Sequence, residues 1–311
     1  MTTASPQQPG QGRIHCSAYG DKAIFQSLSA KYPLKFLSPQ AHRDRVAIAY
    51  MLTYGGGMLS DDNIVVDVDV DSDATLVLLT QGFTKVYKSK KQHRSSTAAP
   101  GQGAHQTLTA RIAPTATLLL LPDPVACFRA SSYIQKQTFH LASLESSTLV
   151  VLDWFTSGRL SHGESWAFRR YATRNDVYVN GRLVIRDSTL LEDENSKPVT
   201  DDTPGADPEE DTATSYAARL GPYTCFATLI VLGAGLASIA TRILAQFDDI
   251  TLQQVTKPRE MMWTASSVCG GMGVLVRVAG VETEAVRRFL KEECLRNGVG
   301  GLMGDMFERA I

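Results

Sequence analysis

A chain of 311 residues with 43 % hydrophobic and 20 % charged side chains has ordinary globular composition and enough length to bury a sizeable core. Its formal net charge of −1 leaves no general basic surface, so a sequence-independent grip on nucleic-acid phosphates has no source. Five cysteines, Cys16, Cys127, Cys225, Cys269 and Cys294, are an odd count without a Cys-x-x-Cys pair, the usage expected of reduced thiols in the cytosol.

Residues 1–12 are rich in Thr, Ser, Gln, Pro and Gly, with neither a basic start nor an apolar run. They read as a disordered N-terminus with no signal peptide, ahead of a single domain over 13–311. Residues 22–32 read as extended or as a short helix. Strong β signals follow: 45–54 is rich in Val, Ile and Tyr, 63–70 alternates, 74–80 is a continuous apolar run, and 83–87 alternates again. A polar loop is expected over 88–106. Strand signals resume at 106–112, 115–121, 133–141 and 148–154, and Asn180-Gly181 marks a hairpin turn between strands 174–179 and 182–186.

Residues 192–215 carry Asp193, Glu194, Asp201, Asp202, Asp207, Glu209, Glu210 and Asp211 with almost no large apolar side chain, which reads as an acidic disordered insertion. Residues 220–241 hold no charge and approach the length of a membrane span, but Pro222, Gly233 and Gly235 interrupt them. A buried strand followed by a helix is the better expectation. Helical periodicity is confined to the last third, at 235–247 and 282–295, with strands expected between them at 261–268 and 273–278.

No Ser/His/Asp or Cys/His motif has a recognisable local signature. Gly233, Gly235 and Ser238 imitate a dinucleotide fingerprint after the apolar run ending at Leu232. The acid due about 20 residues on is replaced by Gln253-Gln254. A nucleotide-dependent enzyme and a plain strand-to-helix turn are both compatible with that pattern. Asp67, Asp69, Asp71 and Asp73 share one face of a strand and offer either a solvated surface or a weak cation contact; Ser72 and Leu78 depart from an EF-hand loop. His15-Cys16 is too few ligands for a structural zinc.

Several blocks nevertheless resemble, in order and spacing, the UreD (UreH) family of urease accessory proteins. Gly55-Gly56-Gly57-Met58-Leu59-Ser60-Asp61-Asp62 is similar to the family's glycine-rich turn, with Ser60-Asp61 where Gly-Gly is usual. Leu79-Thr80-Gln81-Gly82-Phe83-Thr84-Lys85-Val86-Tyr87 resembles its T-T-Q-A-A-T-K-V-Y segment. Leu121-Pro122-Asp123-Pro124 and Gly158-Arg159-Leu160-Ser161-His162-Gly163-Glu164 are similar to its LPxP and G-R-x-x-x-G-E segments. The likeness is closest over 45–190.

The resemblance implies a mainly β, single-domain helicoid of strands with two helices toward the C-terminus. It further implies a non-enzymatic cytoplasmic scaffold in a homo- or hetero-oligomeric assembly with UreF-type and UreG-type proteins and apo-urease. Nickel would be in transit through an internal channel, with no tightly bound cofactor, no nucleic acid and no membrane. A conduit needs oxygen ligands that release the ion, so dispersed carboxylates suit it better than a Cys/His cage. On that basis Asp62 and Glu164 are expected on the nickel path, with Lys85 and Arg159 as ion-pair partners supporting it.

Overall fold

The computed structural model describes residues 7–40, 43–88, 103–192, 216–253 and 260–311, within which the chain crosses repeatedly between two sheets. A hairpin of β1 (Gln11–Tyr19) and β2 (Lys22–Ala30) is followed by β3 (Leu34–Leu37), β4 (Val46–Thr53) and β5 (Gly57–Met58). The winding proper runs through β6 (Asn63–Val70), β7 (Thr75–Leu79), β8 (Thr84–Val86), β9 (Ala104–Ile112), β10 (Thr117–Leu120), β11 (Val125–Cys127), β12 (Ser132–Leu141) and β13 (Thr148–Thr156). It closes with β14 (Arg170–Val179) and β15 (Arg182–Glu192). After the short helix α1 (Tyr216–Leu220) come β16 (Cys225–Leu232), α2 (Ala237–Gln253), β17 (Met261–Val268), β18 (Gly273–Gly280) and α3 (Thr283–Arg288).

Successive passages place β6, β9, β12 and β14 parallel in the first sheet and β4, β7, β10 and β13 parallel in the second. One strand per sheet per turn is the geometry of a β-helicoid. The first sheet has the order β15-β14-β12-β9-β6-β1-β2, and the main path of the second is β17-β18-β16-β13-β10-β7-β4-β3. Antiparallel hairpins end each stack: β15 on β14, β2 on β1, and the β16-β18-β17 extension of β13.

Side-chain periodicity explains the layering. In β6, Ile64, Val66, Val68 and Val70 are buried while Asp67 and Asp69 face outward, the alternation of a sheet wet on one side. The second sheet lies between the first sheet and the helices, so β10 and β13 read as apolar runs and are buried on both faces. One core, including Val66, Leu118 and Val151, fills the space between the sheets. A second, including Val150, Leu229, Ile239 and Leu290, lies between the second sheet and the helices. At roughly 1.5–3 kcal/mol for each fully buried aliphatic side chain, these two layers are the main source of stability.

The expected mainly β helicoid with two C-terminal helices is the fold observed; α3 continues as a wider π-helical segment, Phe289–Gly300, that buries Leu290, Cys294 and Leu295. Residues 220–241 contribute β16 and the start of α2, and no helix among the described residues is long and apolar enough to cross a membrane. The Asn180-Gly181 turn has both residues at positive φ, 49° and 76°, the conformation that matches the twist of β14 and β15.

Some boundaries are corrected. Residues 7–12 are not a disordered lead: Gly10 N–H donates to Tyr32 O, and β1 begins at Gln11 as a parallel partner of β6. Backbone pairing overrides the polar composition there. Residues 22–32 supply a strand, β2, rather than a helix. Glu192, taken as the start of the acidic insertion, is the last residue of β15 and lies 3.6 Å from Arg170. The remainder of that insertion, 193–215, and residues 89–102 of the expected polar loop lie outside the described residues.

Candidate functional site: a buried polar corridor

Along β13, Leu149, Val151 and Phe155 face the space between the sheets, while Val150, Leu152 and Trp154 face the helices. Strand parity therefore directs Asp153 between the sheets, where a carboxyl group must find donors or hold its proton. Both partners come from the opposite sheet. Asn175 Nδ2 on β14 donates to Asp153 Oδ2 at 2.7 Å, and Gln135 Nε2 on β12 donates to Oδ1 at 3.3 Å. Tyr133 Oη in turn donates to Gln135 Oε1 at 2.8 Å. Burial is the largest influence on Asp153 and raises its pKa; the hydrogen bond from Asn175 opposes that, and the charge of Asp187 reinforces it.

The network leaves acceptors over. Asn175 Oδ1 and Gln137 Oε1 are buried without a hydrogen-bond partner among the described residues. Such groups are costly unless water or a ligand satisfies them.

Asp153 borders two cavities. A cavity of about 210 Å³ reaches Tyr171, Thr173, Asp187 and Arg277 beside β15 and β18. A constriction of about 20 Å³ is lined by Tyr133, Gln135, Gln137, Thr80 and Asp123. Thr80 and Asp123 also border an open groove of about 570 Å³ that reaches Gln81 and Arg309. Asp187 and Asp153 thus border one cavity, Asp153 and Asp123 the constriction, and Asp123 the groove.

The two outer carboxylates are held by cations. Arg277 Nη2 on β18 donates to Asp187 Oδ1 at 2.6 Å and ties β18 to β15. Arg287 on α3 reaches Asp123 Oδ1 at 3.2 Å while the Gly82 N–H donates to Oδ2 at 2.8 Å. The central carboxyl alone has only neutral donors. A constriction of about 20 Å³ admits a single water-sized body, so a hydrated cation entering it exchanges water for carboxylate, amide and hydroxyl oxygens. Those are hard donors that suit a divalent ion held briefly. Among the described residues no group of three or more His, Cys, Asp or Glu forms a metal cage. The buried thiol of Cys127 is pushed up to about 12 by burial and stays protonated.

The four residues singled out from sequence lie elsewhere. Asp62 Oδ2 accepts the Leu59 N–H at 2.7 Å and closes the turn after β5. Its neighbour Asp61 stands at φ 73°, a left-handed position that glycine adopts at less cost. Glu164 is 8 % exposed. Its Oε1 accepts Arg159 Nη2 at 2.6 Å, and its Oε2 accepts Arg159 Nε at 2.9 Å and the Arg129 N–H at 3.2 Å. The Arg159 hydrogen bonds are the largest cause of its lowered pKa. Arg159 is thus an ion-pair partner, stacked 4.1 Å above the Phe128 ring. Lys85 is exposed on β8 and, among the described residues, has no carboxylate in ion-pair range, a correction to its expected role. Lys85 and Arg159 meet instead along one surface groove.

The strand carboxylates also resolve. Asp69 pairs with Arg13 and Arg111 at 3.0 and 3.3 Å, and Asp71 accepts from Ser17 and contacts His15 Nε2 at 2.9 Å. The dinucleotide reading of 233–238 is corrected as well. β16 is antiparallel to both neighbours, so no βαβ unit surrounds the turn. Gly233 has φ 104°, and a Cβ there would lie 2.2 Å from Ser147 O. Protein backbone fills the space a pyrophosphate would need.

Comparison with known proteins gives a consistent match. The sequence model of the UreD urease accessory protein family matches residues 8–303. The chain is 31 % identical over 319 residues to urease accessory protein 4 of Cryptococcus neoformans var. grubii, covering 97 % of this chain and 95 % of that one. It is 33 % identical over 306 residues to urease accessory protein D of Arabidopsis thaliana, covering 91 % and 94 % of the two chains. With the UreD protein of Sorangium cellulosum it shares 33 % identity over 282 residues, covering 91 % and 78 %.

Proposed function

Because the chain belongs to the UreD family of urease accessory proteins, we propose that it serves urease maturation as a non-catalytic, cytosolic scaffold through which nickel passes as cargo. Its partners in this reading are UreF-type and UreG-type proteins and apo-urease. The observation that carries the conduit is the position of Asp153, which borders both the inner cavity and the constriction.

The chemistry follows from the corridor's ends and middle. At each end a carboxylate shared with an arginine offers a cation only part of its charge, which limits retention. In the middle, Gln135 and Gln137 line the constriction beside Asp153 and offer neutral amide oxygens. A divalent ion favours the ionised form of Asp153, so entry releases a proton wherever that carboxyl is protonated, and exit returns it. Weak, oxygen-only coordination lets the ion leave for the tighter site of its recipient. Asp62 and Glu164, expected on the path, line none of these cavities and have their oxygens engaged by the Leu59 N–H and by Arg159, so in this reading they support the fold rather than touch the ion.

Deleting the gene in its native organism tests the reading. Urease is expected to be made but inactive and nickel-poor, with activity restored by the wild-type chain, which co-purifies with UreF-type and UreG-type proteins. Full activity and normal nickel in the deletion strain would reject it.

A further inference from the structure

Away from the corridor, a surface groove of about 530 Å³ runs between β8 and the turn over 158–163. Its walls are Phe83, Tyr87, Phe128 and Leu160, its cations are Lys85 and Arg159, His162 also lines it, and no carboxylate among the described residues does. Phe83 is 36 % and Leu160 50 % exposed, and they give the groove an apolar rim.

We propose that this groove is the docking site for an acidic, apolar peptide segment of a partner protein. One carboxylate of that segment pairs with Lys85, and its apolar side chains rest against Phe83 and Leu160. Charge selects a carboxylate over a polyphosphate. Arg159 gives Nε and Nη2 to Glu164, so among the described residues the groove's uncompensated positive charge is that of Lys85. A nucleotide or phosphorylated ligand would bring several negative charges close to the Glu164 carboxylate behind the wall. The aromatic and aliphatic walls match the apolar centre of a protein interface, and Lys85 at the rim gives it direction.

The geometry that presents Lys85 is built by the chain's own turn chemistry. Gly57 pairs with Lys85 across β5 and β8, and a Cβ on Gly57 would lie 2.5 Å from Lys85 O. The glycine therefore lets β5 close against β8 and holds the lysine facing outward.

Fluorescence anisotropy on the full chain tests the assignment, with a labelled octapeptide alternating leucine and glutamate as probe and its glutamine counterpart as control. Saturable binding of the acidic peptide is expected, weakened at least about tenfold by Lys85→Glu and by the glutamine replacement, and at least about fivefold by Leu160→Ser. Lys85→Arg should retain it. Both positions are exposed, so melting temperatures should stay at the wild-type value. Absence of saturable binding, equal affinity for the two peptides, or indifference to both Lys85→Glu and Leu160→Ser would overturn the proposal. Displacement of the peptide by submillimolar inorganic phosphate would overturn it in favour of a phosphate site.

Discussion

Asn175 Nδ2 donates a 2.7 Å hydrogen bond to Asp153 Oδ2, joining β14 of one sheet to β13 of the other at the narrowest part of the polar corridor. The pair is polar where strand parity calls for two apolar side chains. A well-packed apolar pair would be at least as stable in that position, so the proposed conduit gives the pair a reason that folding does not.

Asp153→Asn should therefore fold without loss of stability. Burial raises the folded-state pKa of Asp153 above its ordinary value of 3.8. Between those two values the folded state binds the extra proton, so this group's contribution is greatest at low pH and is lost as pH rises through the folded pKa. Urea midpoints of wild type and variant, compared from pH 4 to pH 8, should diverge in favour of Asp153→Asn as pH rises. A constant difference across that range would remove the argument.

Glu164→Gln should behave in the opposite sense. The Arg159 hydrogen bonds lower its pKa from 4.5, so their stabilisation is present above that value and is lost as pH falls through the folded pKa. With the Arg159 side chain 35 % exposed, solvent screening keeps the cost at pH 7 well below that of breaking a fully buried pair. Chemical denaturation at pH 7 and at pH 3.5 checks this; a penalty that persists undiminished at the lower pH would mean that packing, not charge, is lost.

Gly233→Ala should destabilise by at least about 2 kcal/mol, because the added Cβ meets Ser147 O at 2.2 Å in a left-handed backbone. NAD should leave the melting temperature of the wild-type chain unchanged. A tolerated alanine together with a nucleotide-induced shift would reopen the dinucleotide reading.

Much of the fold was legible because its signals are local. The alternating valines of β6, the apolar runs of β7, β10 and β13, and the Asn180-Gly181 turn each specify an element without reference to distant residues. The start of β1 was not legible, since Gln11 and Gly12 become strand only by pairing with Val65 and Val66.

The corridor was visible in hindsight as a breach of pattern. Asp153 interrupts an apolar run, and Gln135 and Gln137 share strand parity with Tyr133, Phe139 and Leu141. That these three side chains meet depends on which strands face each other across the sheets, and sequence spacing does not carry that information. Family likeness drew attention to Lys85, Arg159 and Glu164, which build a surface groove and the wall behind it.

The most direct test of the conduit is the nickel content of urease matured by accessory complexes reconstituted with wild-type chain or with Asp153→Asn, measured by inductively coupled plasma mass spectrometry. With equal amounts of each complex assembled, the variant is predicted to leave urease nickel-poor and inactive, because the carboxyl at the constriction that no arginine holds is gone. Nickel-replete, active urease from the Asp153→Asn complex would contradict passage of the ion through this corridor.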